Sequence, residues 1–146
     1  MEYTKRKLCD IRSYENNPRI NDDAVDDVVE SIKQCSYIAP IVIDEDGVIL
    51  AGHTRYKALT KLGYKECDVI VAAGLSEEQK KKYRLYDNKT SEFASWDQKK
   101  LSEELADVDF LGYDFGQPEE DKQSEESGTT EKKTKTCPCC GEVFEV

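Results

Sequence analysis

Residues 48–63 read VILAGHTRYKALTKLG, and this stretch decides the fold that we expect. Its apolar start predicts a short strand, and the residues that follow predict a helix ending at Gly63. A strand that turns through Gly52 directly into a helix leaves the first backbone N–H groups of that helix without partners. Arg55 would stand in the first turn, where the helix dipole disfavours a cation unless an anion is bound. The stretch therefore predicts a phosphate site made of helix N–H groups, the Arg55 guanidinium and the Thr54 hydroxyl.

The composition bounds the class of protein. The chain has 146 residues and a formal net charge of -10, and 38% of its residues are hydrophobic. This length predicts one domain with tails, and no apolar run approaches the ~20 residues of a membrane span. The first residues lead into no apolar segment of a secretion signal, so we expect a cytoplasmic protein with reduced cysteines and no membrane contact. The negative charge counts against non-specific DNA binding, which depends on Lys and Arg.

Strand and helix patterns alternate along the chain. We expect strands near residues 5–11, 40–43, 48–51 and 67–72. We expect helices after a cap at Asn21 or Asp22, along residues 53–62, from Ser76 to about Asp87, and after a cap at Asp97. Residues 44–47, DEDG, predict a hairpin turn, and Ser76 with Gln79 has the spacing of a capping box. The alternation predicts a small α/β domain.

Other side chains are expected to have structural roles. Cys9, Cys35 and Cys67 lie on apolar faces and are expected to be buried. The basic stretch at 80–84, KKKYR, predicts a solvated helix face. Trp96 is expected to pack the last helix onto the domain.

The end of the chain has a different composition. Residues 116–136 are rich in Glu, Lys, Ser, Gly and Thr, which predicts a disordered linker. Residues 137–146 read CPCCGEVFEV, and Cys137 with Cys140 has the spacing of half a zinc ribbon, to which Cys139 could add a third ligand. Zinc prefers four ligands, so three interpretations stay open. Two chains could share a Zn²⁺, the ribbon could be a truncated relic, or the cysteines could form a redox pair.

Several motifs together resemble the ParB N-terminal domain family of the ParB/sulfiredoxin superfamily. They are NPR at 17–19, ESI at 30–32, PIV at 40–42, AGHTRYKA at 51–58, LG at 62–63 and VIV at 69–71. The resemblance covers residues 3–74 and implies a small mixed sheet with packed helices. YRLYDNK at 83–89 and EFASWD at 92–97 are similar to ParB-like domains of phages and of proteins fused to DNA methyltransferases. We therefore expect a domain at 1–115, with its core at 3–74 and a helical extension at 75–115 that precedes the disordered tail.

The resemblance implies a nucleotide site. In ParB proteins the loop that matches Gly52–Arg55 binds nucleotide phosphates. This implies that Arg55 binds a phosphate group and that Gly52 allows the backbone to approach it closely. Thr54 would add its hydroxyl. The pair that matches Asp87 and Asn88 helps with phosphate and Mg²⁺, so Asp87 is a candidate metal ligand and CTP or ATP with Mg²⁺ the expected ligand.

Arg19, in the NPR turn, could reach the same phosphate pocket. Purely structural interpretations of Arg55 and of Asp87 with Asn88 also stay open. Arg55 could pair with a carboxylate at the edge of the core, and Asp87 with Asn88 could end a helix with Asn as its cap.

The chain departs from its relatives at residue 53. His53 and Thr54 stand where ParB usually has Glu-Arg, so one phosphate-binding arginine is missing. Sulfiredoxins carry a nucleophilic Cys at the position of His53, which disfavours sulfiredoxin chemistry, whereas related amino-acid kinases have a His there. His53 is therefore a candidate general base, or else a helix cap or a nucleotide-stacking group. The length beyond the core leaves no room for a helix-turn-helix domain, so site-specific partition of DNA is not expected.

The expected function is that of a ParB-like nucleotide-binding module in phage or mobile-element DNA metabolism. The nucleotide would switch its self-association, so a homodimer is expected, and DNA or a DNA-modifying enzyme is a candidate partner. Three alternatives remain: a metal-dependent nuclease, a phosphotransferase acting on a small molecule in the manner of an amino-acid kinase, and an adaptor for a DNA methyltransferase.

Overall fold

The structure is a computed structural model that describes residues 1–109, 134–136 and 143–145. The first compact unit, Met1–Trp96, contains β1 (Glu2–Lys7), α1 (Val25–Cys35), β2 (Ile41–Ile43), β3 (Ile49–Ala51), α2 (His53–Lys61), β4 (Glu66–Val71) and α3 (Glu77–Glu92). The second unit contains α4 (Gln98–Ala106), β5 (Thr134–Thr136) and β6 (Val143–Glu145). None of the described helices has both the length and the apolar composition that crossing a membrane requires.

The four strands of the first unit form a mixed sheet in the order β1-β4-β2-β3. β1 pairs antiparallel with β4, β4 pairs parallel with β2, and β2 pairs antiparallel with β3. The chain crosses from β2 to its parallel neighbour β4 through β3 and α2, since parallel strands need a long connection. This mixed sheet with packed helices confirms the predicted α/β fold.

The hydrophobic core lies between one face of the sheet and the helices α1 and α2. β4 alternates, with Cys67, Val69 and Val71 buried and the residues between them less so. Helix α1 contributes Val29 and Ile32, and α2 contributes Ala58 and Leu59. The predicted apolar periodicities therefore point to the faces that are buried.

The hairpin between β2 and β3 turns at Gly47, as predicted. Gly47 has a φ of 81°, and a Cβ there would lie 2.6 Å from the backbone oxygen of Asp10. Only glycine satisfies both the left-handed backbone and this close approach. The turn is completed by Asp44, whose Oδ1 accepts hydrogen bonds from the backbone N–H groups of Asp46 and Val48.

Helix α3 starts with the predicted capping box of Ser76 and Gln79 but is longer than expected. The prediction that it ends near Asp87 was wrong, because it continues to Glu92. The solvated-face interpretation of 80–84 was wrong for two of its residues: Lys80 and Arg84 are 3% and 6% exposed. Lys80 contacts the turn between β2 and β3, and Arg84 contacts the backbone of β3.

Lys80 attaches α3 to the β2–β3 hairpin. Its Nζ lies 3.0 Å from Glu77, 3.2 Å from the buried carboxylate of Asp44 and 3.4 Å from Glu45. The hydrogen bond to Glu77, together with Asp44 and Glu45, holds the pKa of Lys80 above its ordinary value. The charge is therefore fully compensated although it is buried.

Two further local predictions were wrong. The first helix is preceded by Ala24, which provides no side-chain cap, because Asn21 is recruited elsewhere. Cys9 and Cys35 are exposed and only Cys67 of these three is buried; Cys35 is the last residue of α1, beyond the core residue Ile32.

Trp96, the last residue of the first unit, is 65% exposed, and its expected packing onto the last helix stays a prediction. Asp97 does cap α4, accepting from the backbone N–H of Lys100. β5 pairs antiparallel with β6 and falls within the range 116–136 for which we predicted disorder; threonine favours extended backbone. The other residues of that range, and Cys137, Cys139 and Cys140, lie outside the described residues.

Candidate functional site

A pocket of about 450 Å³ brings together four segments of the chain. They are the loop before α1, helix α1 itself, the junction of β3 with α2, and the second half of α3. The pocket is lined by all the predicted site residues of the described region: Arg19, Gly52, His53, Thr54, Arg55, Asp87 and Asn88. The structure thus places in one pocket residues that are far apart in the sequence.

Gly52 shapes the centre of this pocket. It stands immediately before α2 with a φ of 102°, in the left-handed region. A Cβ at this position would meet the guanidinium of Arg55 at 3.2–3.3 Å. Glycine therefore satisfies the backbone conformation and also leaves space for the arginine to fold back over the turn.

The N-terminus of α2 has the features of an anion site. The structure describes this helix in full; its first turn carries no acidic residue, and no side chain caps it. By contrast, α1 carries Asp26 and Asp27 in its first turn, and α3 carries Glu77 and Glu78. The free N–H groups and the positive end of the helix dipole thus remain available to a ligand anion.

Arg55 is oriented by backbone carbonyls. Its Nη1 donates hydrogen bonds of 2.8 Å to the oxygens of Ala39 and Pro40. Among the described ion pairs none involves Arg55, so the alternative of pairing with a core-edge carboxylate is not what holds it here. The loop before β2 fixes one arm of the guanidinium, and Nε and Nη2 lie over Gly52.

Thr54 belongs to a polar chain that links α2 to the start of α1. Asn21 donates from Nδ2 to Thr54 Oγ1 at 2.7 Å. Lys57 Nζ donates to Asn21 Oδ1 at 3.0 Å and to Asp22 Oδ1 at 2.5 Å. Asn21, which is 7% exposed, therefore holds the Thr54 hydroxyl in place, and the lysine completes the amide's hydrogen bonding.

His53 is held by the loop before α1. The backbone N–H of Tyr14 donates to His53 Nε2 at 3.3 Å. Burial, followed by the charges of Arg84 and Lys57, lowers the pKa of His53 below 6.5. The neutral imidazole already uses its acceptor nitrogen, and this geometry favours a positioning role over that of a general base.

Arg19 and the Asp87–Asn88 pair approach the pocket from opposite segments. Arg19 Nη1 donates to Asn88 Oδ1 at 3.3 Å. Both Asp87 and Asn88 lie inside α3, which ends only at Glu92. The interpretation of Asn88 as a helix cap was therefore wrong, and both side chains line the pocket instead.

The residues present fit Mg²⁺ only in combination with a ligand. Among residues 1–109 there is no group of three His, Cys, Asp or Glu side chains that could hold a metal ion. Mg²⁺ commonly binds through one or two carboxylates together with substrate phosphates. Asp87 could provide such a carboxylate at this pocket.

Sequence reasoning missed several residues of the pocket. Asn21 was expected only as a helix cap, and Ser31 and Ser91 were not singled out, yet all three line it. Asn17 entered as part of the NPR turn and of the family resemblance, without a role at the site. A buried asparagine has no local signature when its partners are 33 and 36 residues away, as those of Asn21 are.

Comparison with known proteins agrees with this architecture. The chain is 41% identical over 78 residues to the ParB-like nuclease domain-containing protein YnaK of Escherichia coli (strain K12), covering 53% of this chain and 90% of that protein. Its fold matches the C-terminally truncated chromosome-partitioning protein ParB from Caulobacter crescentus, solved with CTP-gamma-S. The TM-score is 0.59 and the identity 17%, over 72% of this chain and 62% of the other.

Sulfiredoxin from Arabidopsis thaliana matches at 27% identity with a TM-score of 0.47, over 58% of this chain and 98% of that one. The chain spans less than two thirds of the Caulobacter protein. The ParB N-terminal domain profile matches residues 4–89, more than half of the sequence. This chain belongs to the ParB N-terminal domain family.

Proposed function

We propose that this protein is a nucleotide-binding module whose pocket accepts the phosphates of CTP or ATP at the Gly52–Arg55 turn. The observation that carries the proposal is the N-terminus of α2, which no side chain caps, with the Arg55 guanidinium folded over Gly52 immediately before it. Helix N–H groups and a guanidinium are complementary to phosphate oxygens. The Caulobacter ParB that shares this fold was solved with a CTP analogue, which supports the choice of ligand.

The remaining lining residues supply complementary contacts. Arg19 provides a second guanidinium from another segment. It would replace the arginine that the family pattern has at the position of Thr54. Thr54 offers a hydroxyl already oriented by Asn21. Asp87 would hold Mg²⁺ together with the phosphates. The cavity of about 450 Å³ lies in the range of small-molecule sites.

Calorimetry against CTP, ATP, GTP and ADP with Mg²⁺ tests the proposal. The wild type should bind at least one of them, and Arg55→Ala should weaken binding at least about tenfold, since charge-assisted hydrogen bonds are lost. Arg6→Ala is the matched control, because Arg6 is an exposed arginine of β1 outside this pocket. Absence of binding to all four nucleotides contradicts the proposal.

A second candidate is a metal-dependent nuclease. It is favoured by the relative YnaK, described as containing a ParB-like nuclease domain, and by the exposed carboxylate of Asp87 at the pocket. Nicking of supercoiled plasmid that requires Mg²⁺ and disappears in Asp87→Ala would support it. Nicking that persists in this variant would assign the activity to a contaminant or to other residues.

The phosphotransferase alternative has less support, because Tyr14 already occupies the acceptor nitrogen of His53. Consumption of ATP or ADP only when an amino acid is present would revive it. We further propose a role in phage or mobile-element DNA metabolism, with self-association that depends on the nucleotide. Sedimentation with and without nucleotide measures that association, and a pull-down with a DNA methyltransferase tests the adaptor alternative.

Zinc binding at Cys137, Cys139 and Cys140 stays a proposal of the sequence. Metal analysis of untagged protein should find at least about one zinc per two chains if two chains share a site. A lower content removes the proposal.

A further inference from the structure

A second pocket lies between the loop that precedes α1 and helix α3. It has a volume of about 370 Å³ and is lined by Tyr14, Asn16, Pro18, Lys81, Arg84 and Leu85. None of these six residues is acidic, although the chain as a whole carries a net charge of -10. The pocket is therefore a local concentration of positive charge in an acidic protein.

The loop at 16–19 separates this pocket from the first one. Asn16 and Pro18 line the second pocket, whereas Asn17 and Arg19 line the first. Alternate residues of the loop therefore line different pockets. The two pockets are distinct, and a substitution can address one without removing a lining residue of the other.

Arg84 is the central feature of the second pocket. Its side chain is buried, its Nε donates to the backbone oxygen of Ile49 at 3.0 Å, and its guanidinium lies 3.9 Å from the centre of the Tyr14 ring. Across residues 1–109, no carboxylate lies within ion-pair distance of it. Only a carbonyl dipole and an aromatic face compensate its charge.

The contrast with Lys80 is informative because the two cations lie one helical turn apart on α3. Lys80 has three carboxylates around its ammonium group, whereas Arg84 has none among the described residues. A buried charge without a counter-ion is unfavourable. Arg84 is retained in that state at the wall of an open pocket, where a ligand anion could approach its remaining N–H groups.

We propose that this second pocket binds an oxyanion, a phosphate ester or a carboxylate, carried on a small planar or apolar body. Arg84 provides a planar fork for the anion, and Lys81 adds an exposed ammonium group. Tyr14, Pro18 and Leu85 provide the apolar walls for the body of the ligand. The site is separate from the nucleotide phosphate site proposed above and stands whether or not that site binds nucleotide.

His53 reports on occupancy, since it is the only histidine of the chain. Burial lowers its pKa most, and the charge of Arg84 lowers it further. Phenyl phosphate and benzoate, as the two probe anions, are titrated into the full chain while the His53 ring signals are followed by NMR. Both should bind saturably and raise the pKa of His53, and neutral benzyl alcohol should not.

Variants assign the binding to this pocket. Lys81→Gln, at an exposed residue, and Arg84→Gln should each weaken binding of the probes, by about tenfold for Arg84. Lys82→Gln removes the same charge from the residue after Lys81 and should bind the probes as the wild type does. Undiminished binding in both Lys81→Gln and Arg84→Gln, loss of binding in Lys82→Gln, or the absence of saturable binding overturns the proposal.

Discussion

Arg19 donates a hydrogen bond of 3.3 Å to the side-chain oxygen of Asn88, which lies 69 residues further along the chain. This contact joins the loop before α1 to α3, two of the four segments that line the first pocket. The arginine is exposed and the contact is long, so it orients the guanidinium without contributing much to stability. The same guanidinium is then available for a ligand anion.

Replacing Arg19 should therefore affect binding more than folding. We expect Arg19→Ala to change the free energy of unfolding by no more than about 0.5 kcal/mol, while it weakens nucleotide binding about tenfold through a lost charge-assisted hydrogen bond. Urea denaturation and calorimetry measure the two effects. A double-mutant cycle with Asn88→Ala shows whether the asparagine acts through the arginine, and strictly additive losses in affinity would contradict that coupling.

Gly52→Ala should remove the site as well as destabilise the fold. A side chain at this positive φ costs about 1–2 kcal/mol, and the new Cβ would also press on Arg55. Gly63→Ala is a matched control, because Gly63 has a φ of 77° with nothing within 4 Å of a Cβ. Both variants should lose stability in urea denaturation, but only Gly52→Ala should lose nucleotide binding; equal binding by the two would contradict this role.

Lys80→Met should be strongly destabilising. It leaves the buried carboxylate of Asp44 without its ammonium partner. Removing one partner of a buried ion pair typically lowers the free energy of unfolding by about 3–5 kcal/mol. Lys82→Met removes an exposed i,i+4 pair with Glu78 and should change stability by only ~0.5 kcal/mol. Urea unfolding of both variants measures the difference, and similar values would mean that Lys80 does not anchor α3.

The stability of the protein should depend on His53 below neutral pH. Its pKa in the folded state is lowered from 6.5 by burial first, then by Arg84 and Lys57. As the pH falls below 6.5, the unfolded chain takes up a proton that the folded chain does not, so the folded state loses stability until the lowered pKa has been passed. His53→Gln keeps an acceptor for Tyr14 but does not titrate.

The measurement is urea denaturation of both proteins across this range. The wild type should lose stability relative to His53→Gln as the pH falls. Above pH 7 the free energies of unfolding of the two proteins should change with pH in parallel. Parallel curves throughout would mean that His53 titrates alike in the folded and unfolded chains.

Much of the fold could be predicted because its signals are local. The hairpin turn at Gly47, the capping box of Ser76 with Gln79 and the helix that follows Gly52 depend on residues within a few positions of one another. The pocket could be nominated for the same reason, since a strand, a glycine and a helix start are visible in residues 48–63. The length of α3 was underestimated because asparagine is common at helix C-termini, so Asn88 resembled a cap. That Asn88 instead faces the pocket depends on segments far away in the sequence.

The sequence by itself determined much of the backbone: where the chain turns through glycine, where α2, α3 and α4 begin, and most of the apolar positions that are buried. Only the tertiary structure decided how the charged and polar side chains are used. Lys80 and Arg84 belong to one basic stretch, yet Asp44 neutralises the first whereas Arg84 lies against Tyr14 without a described carboxylate. Helix propensity and caps act within a turn or two, whereas the energy of a buried charge depends on whichever distant groups the fold places beside it.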